Sequence, residues 1–246
     1  MTVVNAENVK RPLAIYRFLK QIGSRYMQFI PLVERRAAQP DANGLTLISP
    51  DFSAQCRVTE WSVAANAYGR FLNAIFDSWV QDDMGSVFVM NFEQTLAKMG
   101  WQIRLLRDER NLWRQSDCGV QWRYLFLRPF SFIPSISWAT STTIVSPRWL
   151  TRRRISPLAQ RKRTHLGREC LSCSFRPLCN GGCPKHRFTL SDDGRPNKNY
   201  FCDGYMLHLR HVLPIMQTLL TLMRQGDSPE RIRQTLAQHY YRQRER

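Results

Sequence analysis

Cysteine is the residue type best placed to do chemistry in this chain. Five of its seven cysteines gather near the C-terminus as Cys170-x2-Cys173-x5-Cys179-x3-Cys183, with Cys202 after eighteen intervening residues. Thiolates at such short, unequal gaps can converge from loops onto one metal centre. The turn Cys179-Asn180-Gly181-Gly182-Cys183-Pro184 lets the backbone fold tightly around them. A structural zinc site usually carries two Cys-x2-Cys knuckles, and only Cys170 and Cys173 fit that spacing. Iron–sulfur clusters are also held by four thiolates at irregular spacing, one often arriving from far along the chain. Spacing alone leaves both metals open.

Other polar groups near this motif read as supporting or neutral. His186 is either a donor to metal-bound sulfur or a solvated surface histidine. His208 and His211 stand three apart on a helical stretch, where packing or solvent roles fit better than metal binding. Asp192, Asp193 and Asp203 are the acids closest to the motif, and Asp203-Gly204 reads as a turn after the last thiol. Cys56 lies outside every motif and reads as structural or incidental.

These residues need elements to position them. Residues 2–4 read as a buried strand, and Pro12 to Ile22 as a helix with Ile15, Phe18, Leu19 and Ile22 on one face and Gly23 as its C-cap. The apolar stretch 27–32 reads as a second strand, which makes a βαβ unit with parallel pairing. A helix from Ser62 to Val80 carries an aromatic stripe, Tyr68, Phe71, Leu72, Ile75, Phe76 and Trp79, that reads as core. Val87 to Met90 is an apolar run, and a short helix over Phe92–Met99 is expected to end at Gly100. Beyond the cysteines, Tyr205 to Arg224 reads as a long helix kinked or broken near Pro214. Ser228-Pro229-Glu230 starts a final helix to about Tyr241.

The chain has 246 residues and a net charge of +17. Such a charge invites nucleic acid as a partner, but its distribution argues otherwise. No acidic residue occurs between Asp117 and Glu169, and ten basic residues there account for more than half of the excess. That segment has neither helical nor strand periodicity. No apolar run approaches a membrane span, and the N-terminus lacks the features of a signal peptide. Clustered thiols without a secretory signal bind metal more often than they pair, so the cytoplasm is the expected compartment.

Three stretches carry a resemblance to a known family. Cys170-Leu171-Ser172-Cys173, Cys179-Asn180-Gly181-Gly182-Cys183-Pro184-Lys185-His186-Arg187 and Asn199-Tyr200-Phe201-Cys202-Asp203-Gly204-Tyr205 resemble the SPASM-type domain of anaerobic sulfatase-maturating enzymes. Thr2-Val3-Val4-Asn5, Gln28-Phe29-Ile30-Pro31-Leu32-Val33-Glu34 and Tyr68-Gly69-Arg70-Phe71-Leu72 resemble the last two βα units and linker of that family's radical S-adenosylmethionine (SAM) barrel. The resemblance implies an α/β fold: the C-terminal portion of a radical SAM partial (β/α) barrel, then a small cysteine-rich SPASM-type domain and C-terminal helices. Its expected divisions are 1–100 for the barrel units and linker helix, 101–164 for the altered basic segment, 165–225 for the cluster domain and 226–246 for the terminal helix and tail. The family oxidises a cysteine or serine of a sulfatase polypeptide to formylglycine, using SAM and [4Fe–4S] clusters. Carried over by motif, Cys170, Cys173, Cys179 and Cys202 would ligate one auxiliary [4Fe–4S] cluster. Cys118 and Cys183 would be a remnant of the other.

This sequence departs from the family pattern at three places. It contains no Cys-x3-Cys-x2-Cys, so the SAM cluster and most of the SAM pocket are missing from it. Leu112 stands where the family has a cysteine. A Cys-Asp pair expected after Cys118-Gly119 is replaced by the acid-free segment. Suitable codons for Gln121 to Phe130, read one nucleotide later, give Asn-Gly-Asp-Ile-Tyr-Ser-Cys-Asp-His-Phe. A frameshifted stretch is therefore expected, and the nucleotide sequence decides it. The resulting expectation is a fragment of a maturase, keeping at most one auxiliary cluster and inactive alone. Two alternatives stand beside it: a basic zinc protein that binds nucleic acid, and a remnant that docks on a partner through an exposed barrel edge. Two βα units expose apolar faces and strand edges, so marginal stability or aggregation is also expected.

Overall fold

The computed structural model describes residues 1–39, 47, 56–105, 166–228, 231–236 and 238, with side chains left undescribed over 101–105. Cys118, Leu112 and the acid-free segment up to residue 165 lie outside the described residues. In chain order the elements are β1 (Thr2–Val4), α1 (Pro12–Gln21), β2 (Tyr26–Met27), β3 (Phe29–Pro31), β4 (Arg35–Ala37), β5 (Cys56–Val58), α2 (Ala65–Ser78), β6 (Phe88–Val89), α3 (Met90–Leu105), α4 (Arg168–Ser172), α5 (Arg176–Cys179), β7 (Thr189–Leu190), β8 (Pro196–Lys198) and α6 (Cys202–Gln225).

The expected parallel βαβ unit is present. Pro12 opens α1, where its missing N–H costs nothing, and Gly23 closes it at φ 81°. The Ser24 amide then donates to Leu19 O and the Gly23 amide to Lys20 O, each at 3.0 Å, in a Schellman pattern. This reversal returns the chain to β3, which pairs parallel with β1, Thr2 opposite Phe29 and Val4 opposite Pro31. The second strand is broken at Gln28. Its first half, β2, pairs parallel with β6. One face of these strands is buried through Val4, Met27, Phe29 and Val89. The alternate positions Val3, Tyr26 and Phe88 are 49%, 59% and 39% exposed. A parallel sheet is normally covered on both faces, so the apolar second face is open among the described residues.

Helix α2 covers the buried face. Every residue of its aromatic stripe is at most 2% exposed, as expected of core. Phe29 meets Phe71 edge-on at 5.5 Å, and the Tyr68 hydroxyl donates to Phe29 O at 2.9 Å. The helix widens into a π turn over Trp79–Asp83, where Trp79 Nε1 donates to Val87 O at 2.7 Å. On its other side α2 packs against α6. Gly69 and Gly204 meet there, and a Cβ on Gly69 would come within 2.5 Å of Gly204 O. Tyr68 contacts both Phe201 and Tyr205, with centroids at 5.7 and 6.2 Å. This junction fixes the cysteine-bearing region to the strands.

Several expectations are corrected. Of the α1 stripe, Phe18 and Ile22 are exposed, whereas Tyr16 is fully buried. The reason is polar: the Tyr16 hydroxyl and Lys20 Nζ both donate to Asp83 Oδ2, at 2.9 and 2.7 Å, and this turns the helix. Helix α3 does not stop at Gly100. It starts at Met90 and continues to Leu105, because Phe92, Leu96 and Met99 bury one face and outweigh roughly 1 kcal/mol lost to a helical glycine. Pro214 does not break α6, which is continuous over 24 residues. Asp203-Gly204 is its first turn rather than a loop. Residues 231–236 are helical as expected, with the Arg231 amide donating to Ser228 Oγ at 3.3 Å, and the remainder up to Tyr241 falls largely outside the described residues. The antiparallel pairing of β4 with β5 had no clear signal in the sequence. Among the described residues no helix is long and apolar enough to cross a membrane.

Candidate metal centre

The four thiols Cys170, Cys173, Cys179 and Cys202 come from three helices and one helix end. Cys170 lies on α4, Cys173 follows its last residue, Cys179 closes α5 and Cys202 opens α6. All four line one small cavity of ≈ 30 Å³, partly open to solvent, beside Phe175, Tyr205 and Leu209. Cys183 is exposed and does not line it. Cys56 sits on β5, where the nearest polar contact is Arg35 Nη1 at 3.7 Å, away from the group.

The turn after α5 explains the local sequence. Asn180, Gly181 and Gly182 are all left-handed, with φ of 49°, 69° and 61°. Side chains strain there, which two glycines and an asparagine avoid. Successive amides in such a turn form an anion-binding nest, and those of Gly181 and Gly182 are directed at Cys179 Sγ. Asn199 fastens the turn from outside: its Nδ2 donates to Gly181 O at 3.2 Å and to Cys183 O at 3.3 Å. The same side chain accepts the Phe201 amide at 2.8 Å, which starts α6 and so sets Cys202.

Burial pushes the Cys170 and Cys179 thiols up, and Cys202 up to about 11. Three cations oppose this. Arg187 acts on Cys170, Lys198 on Cys170 and Cys202, and Lys98 on Cys179. Lys98 reaches across from α3 to donate to Leu178 O at 2.7 Å, and Lys198 pairs with Glu169 at 3.2 Å. A metal bound here must displace the thiol protons, and the cations would then stabilise the thiolates. Among the described residues no three Cys, His, Asp or Glu side chains converge closely enough to hold one metal ion. A mononuclear zinc site needs its sulfurs within roughly 3.8 Å of one another, from a Zn–S distance of ≈ 2.3 Å. The arrangement is a small cavity walled by four thiols.

The remaining candidates fall elsewhere. His186 is half-buried, edge-on to Phe201 at 5.2 Å, with Nδ1 lacking a partner, so it is not a solvated surface histidine. Asp193 and Asp192 belong to the β7–β8 turn, where the Arg195 amide donates to Asp193 Oδ1 at 3.1 Å and the Asp192 amide to Glu169 Oε1 at 2.6 Å. His208 and His211 do have polar partners, on α2. His211 Nε2 donates to Asp77 Oδ1 at 2.6 Å, a carboxylate that the sequence did not associate with it. His208 Nδ1 is 2.8 Å from Asn73 Oδ1, which can only accept, so Nε2 keeps a lone pair. Burial holds His208 down at about 3. With the folded value below the unfolded one, its stabilising effect is present above pH 6.5 and is lost as pH falls toward 3. Between pH 7 and pH 5 the chain should lose on the order of 1–2 kcal/mol through this group. In His208→Phe that part of the acid loss should vanish, as read by urea unfolding at both pH values.

No protein-family model matches the chain. It is 30% identical over 237 residues to the serine-type anaerobic sulfatase-maturating enzyme of Bacteroides thetaiotaomicron, a match covering 96% of this chain and 56% of that protein. It is 28% identical over 219 residues to the protein of the same name from Klebsiella pneumoniae, covering 87% and 48%. The chain spans about half the length of the curated relatives it matches. A solved structure of His-tagged anSMEcpe with bound AdoMet superposes at a TM-score of 0.52 and 16% identity, covering 97% of this chain and 57% of that one.

Proposed function

This chain is a homologue of the anaerobic sulfatase-maturating enzymes, and from that kinship we propose that it provides the cysteine-rich, electron-handling part of such an enzyme. Cys170, Cys173, Cys179 and Cys202 hold one [4Fe–4S] cluster. The observation that carries this reading is the single cavity walled by these four thiols, with the 180–182 nest at one of them. Four thiolates at irregular spacing, one of them from far along the chain, are the donor set such a cluster takes. Bound there, the cluster supplies one-electron transfer. The chain's own residues do the rest: Lys98, Arg187 and Lys198 offset the negative charge, and Phe175, Tyr205 and Leu209 keep water from the sulfurs.

On the same reading, β1, β2, β3 and β6 with α1 and α2 are two units of a partial (β/α) barrel. The whole enzyme's substrate is a sulfatase polypeptide, oxidised at serine or cysteine to formylglycine. This chain performs no SAM cleavage by itself, since it has no Cys-x3-Cys-x2-Cys to hold the cluster that does so. Cys118 and Cys183 are two ligands of a second cluster, too few to retain it.

Anaerobic loading of the full chain with ferrous iron and sulfide tests the proposal. About four irons and four sulfides per chain are expected, with the visible absorbance of a cluster. Uptake of zinc alone, or of iron without sulfide, would overturn it.

A further inference from the structure

A buried basic residue that no motif singles out by itself stands beside the cysteine group. Arg187 is only 8% exposed. Its Nε donates to Gly181 O at 3.0 Å, and its Nη2 to Asn180 O at 2.9 Å and Gly182 O at 3.2 Å. One guanidinium thus collects three consecutive carbonyls. Those carbonyls belong to the three left-handed residues, two of which, Gly181 and Gly182, direct their amides at Cys179. With the carbonyls drawn to one side, the amides are left facing the sulfur. The turn has little room to choose another conformation. A Cβ on Gly182 would come within 2.5 Å of Asn199 Nδ2, and one on Gly181 would strike Leu166. The same guanidinium feels Cys170, Cys179 and Cys183 at once, so its charge stands among the sulfurs.

We infer that Arg187 is the positioning residue of the metal centre: it locks the 180–182 turn so that two amides meet Cys179, and it sets a fixed positive charge beside the cluster thiolates. This rests on the reading that those thiolates hold an iron–sulfur cluster. A lysine can supply the charge but lacks the planar fork that holds Nε and Nη2 on these carbonyls, so the two parts of the role are separable. A nearby positive charge favours the reduced, more negative cluster and raises its potential. Partners of ligating groups of this kind typically change metal affinity by about 10–100-fold when removed.

The test uses the full chain, anaerobically loaded, as unsubstituted protein, Arg187→Gln and Arg187→Lys. Iron per chain, the rate of iron loss to a chelator, the EPR signal of the reduced state and the midpoint potential are measured. Arg187→Gln should lose iron on the order of ten times faster and show a lower potential and an altered EPR signal. Arg187→Lys should recover the potential but not the EPR signal or the iron retention. Equal potentials, signals and retention in all three proteins would overturn the assignment. So would unfolding of both variants, which would make Arg187 a residue of the fold. Failure of the unsubstituted chain to take up iron would instead sink the cluster reading and leave the two failures distinct.

Discussion

Gly204→Ala should cost this protein at least about 3 kcal/mol and most of its capacity for iron. Overpacking a core ordinarily costs about 1–3 kcal/mol, because side chains can shift. Here the obstacle is backbone. A Cβ on Gly204 would overlap the carbonyl oxygen of Ala65 in the first turn of α2, and no rotamer change relieves that. Helices α2 and α6 would have to separate. Tyr68, Phe76, Phe201, Tyr205 and His208 all meet across this junction, so their mutual contacts would loosen together. Gly204 is also two residues beyond Cys202, so any shift of the helix start moves a thiol. Chemical denaturation followed by circular dichroism gives the stability, and anaerobic loading gives the iron. A variant as stable as the parent would mean that the two helices do not cross at these glycines.

Cys202→Ser and Cys183→Ser should differ sharply despite removing the same atom. Cys202 walls the cavity with Cys170, Cys173 and Cys179, and its thiol is buried enough to be pushed up to about 11. Its loss leaves three thiols, and iron per chain should fall from about four toward zero, or to a labile cluster that bleaches in chelator. Cys183 is exposed and does not line the cavity, and its loss should leave iron content unchanged. The contrast also controls for general damage, since both substitutions fall in the same small region. Equal loss in both would show that the ligand set had been drawn wrongly.

Much of this was legible in the sequence, for identifiable reasons. The βαβ unit could be read because Pro12 and Gly23 mark the ends of α1 and because β1 and β3 are short apolar runs. The aromatic stripe of α2 could be read because it has helical period and no polar interruption. What escaped was set by contacts distant in sequence. Asp83 reorients α1 through Tyr16 and Lys20, and nothing within α1 announces it. Asn73 and Asp77 engage His208 and His211 across a helix crossing that depends on two glycines over a hundred residues apart. At the candidate site the cysteine group was found from type and spacing, and the separation of Cys183 from the other four came from the family resemblance. Lys98, Arg187 and Lys198 were not found, because a lone basic residue in a strongly basic chain carries no signal until geometry places it beside a sulfur.

The most direct measurement is a crystal structure of the anaerobically loaded chain with anomalous data collected on either side of the iron absorption edge. The account predicts one compact group of iron peaks inside the cavity, each within bonding distance of a sulfur of Cys170, Cys173, Cys179 or Cys202. A single peak that disappears at the iron edge and persists at the zinc edge would contradict it, as would iron held by any other set of side chains.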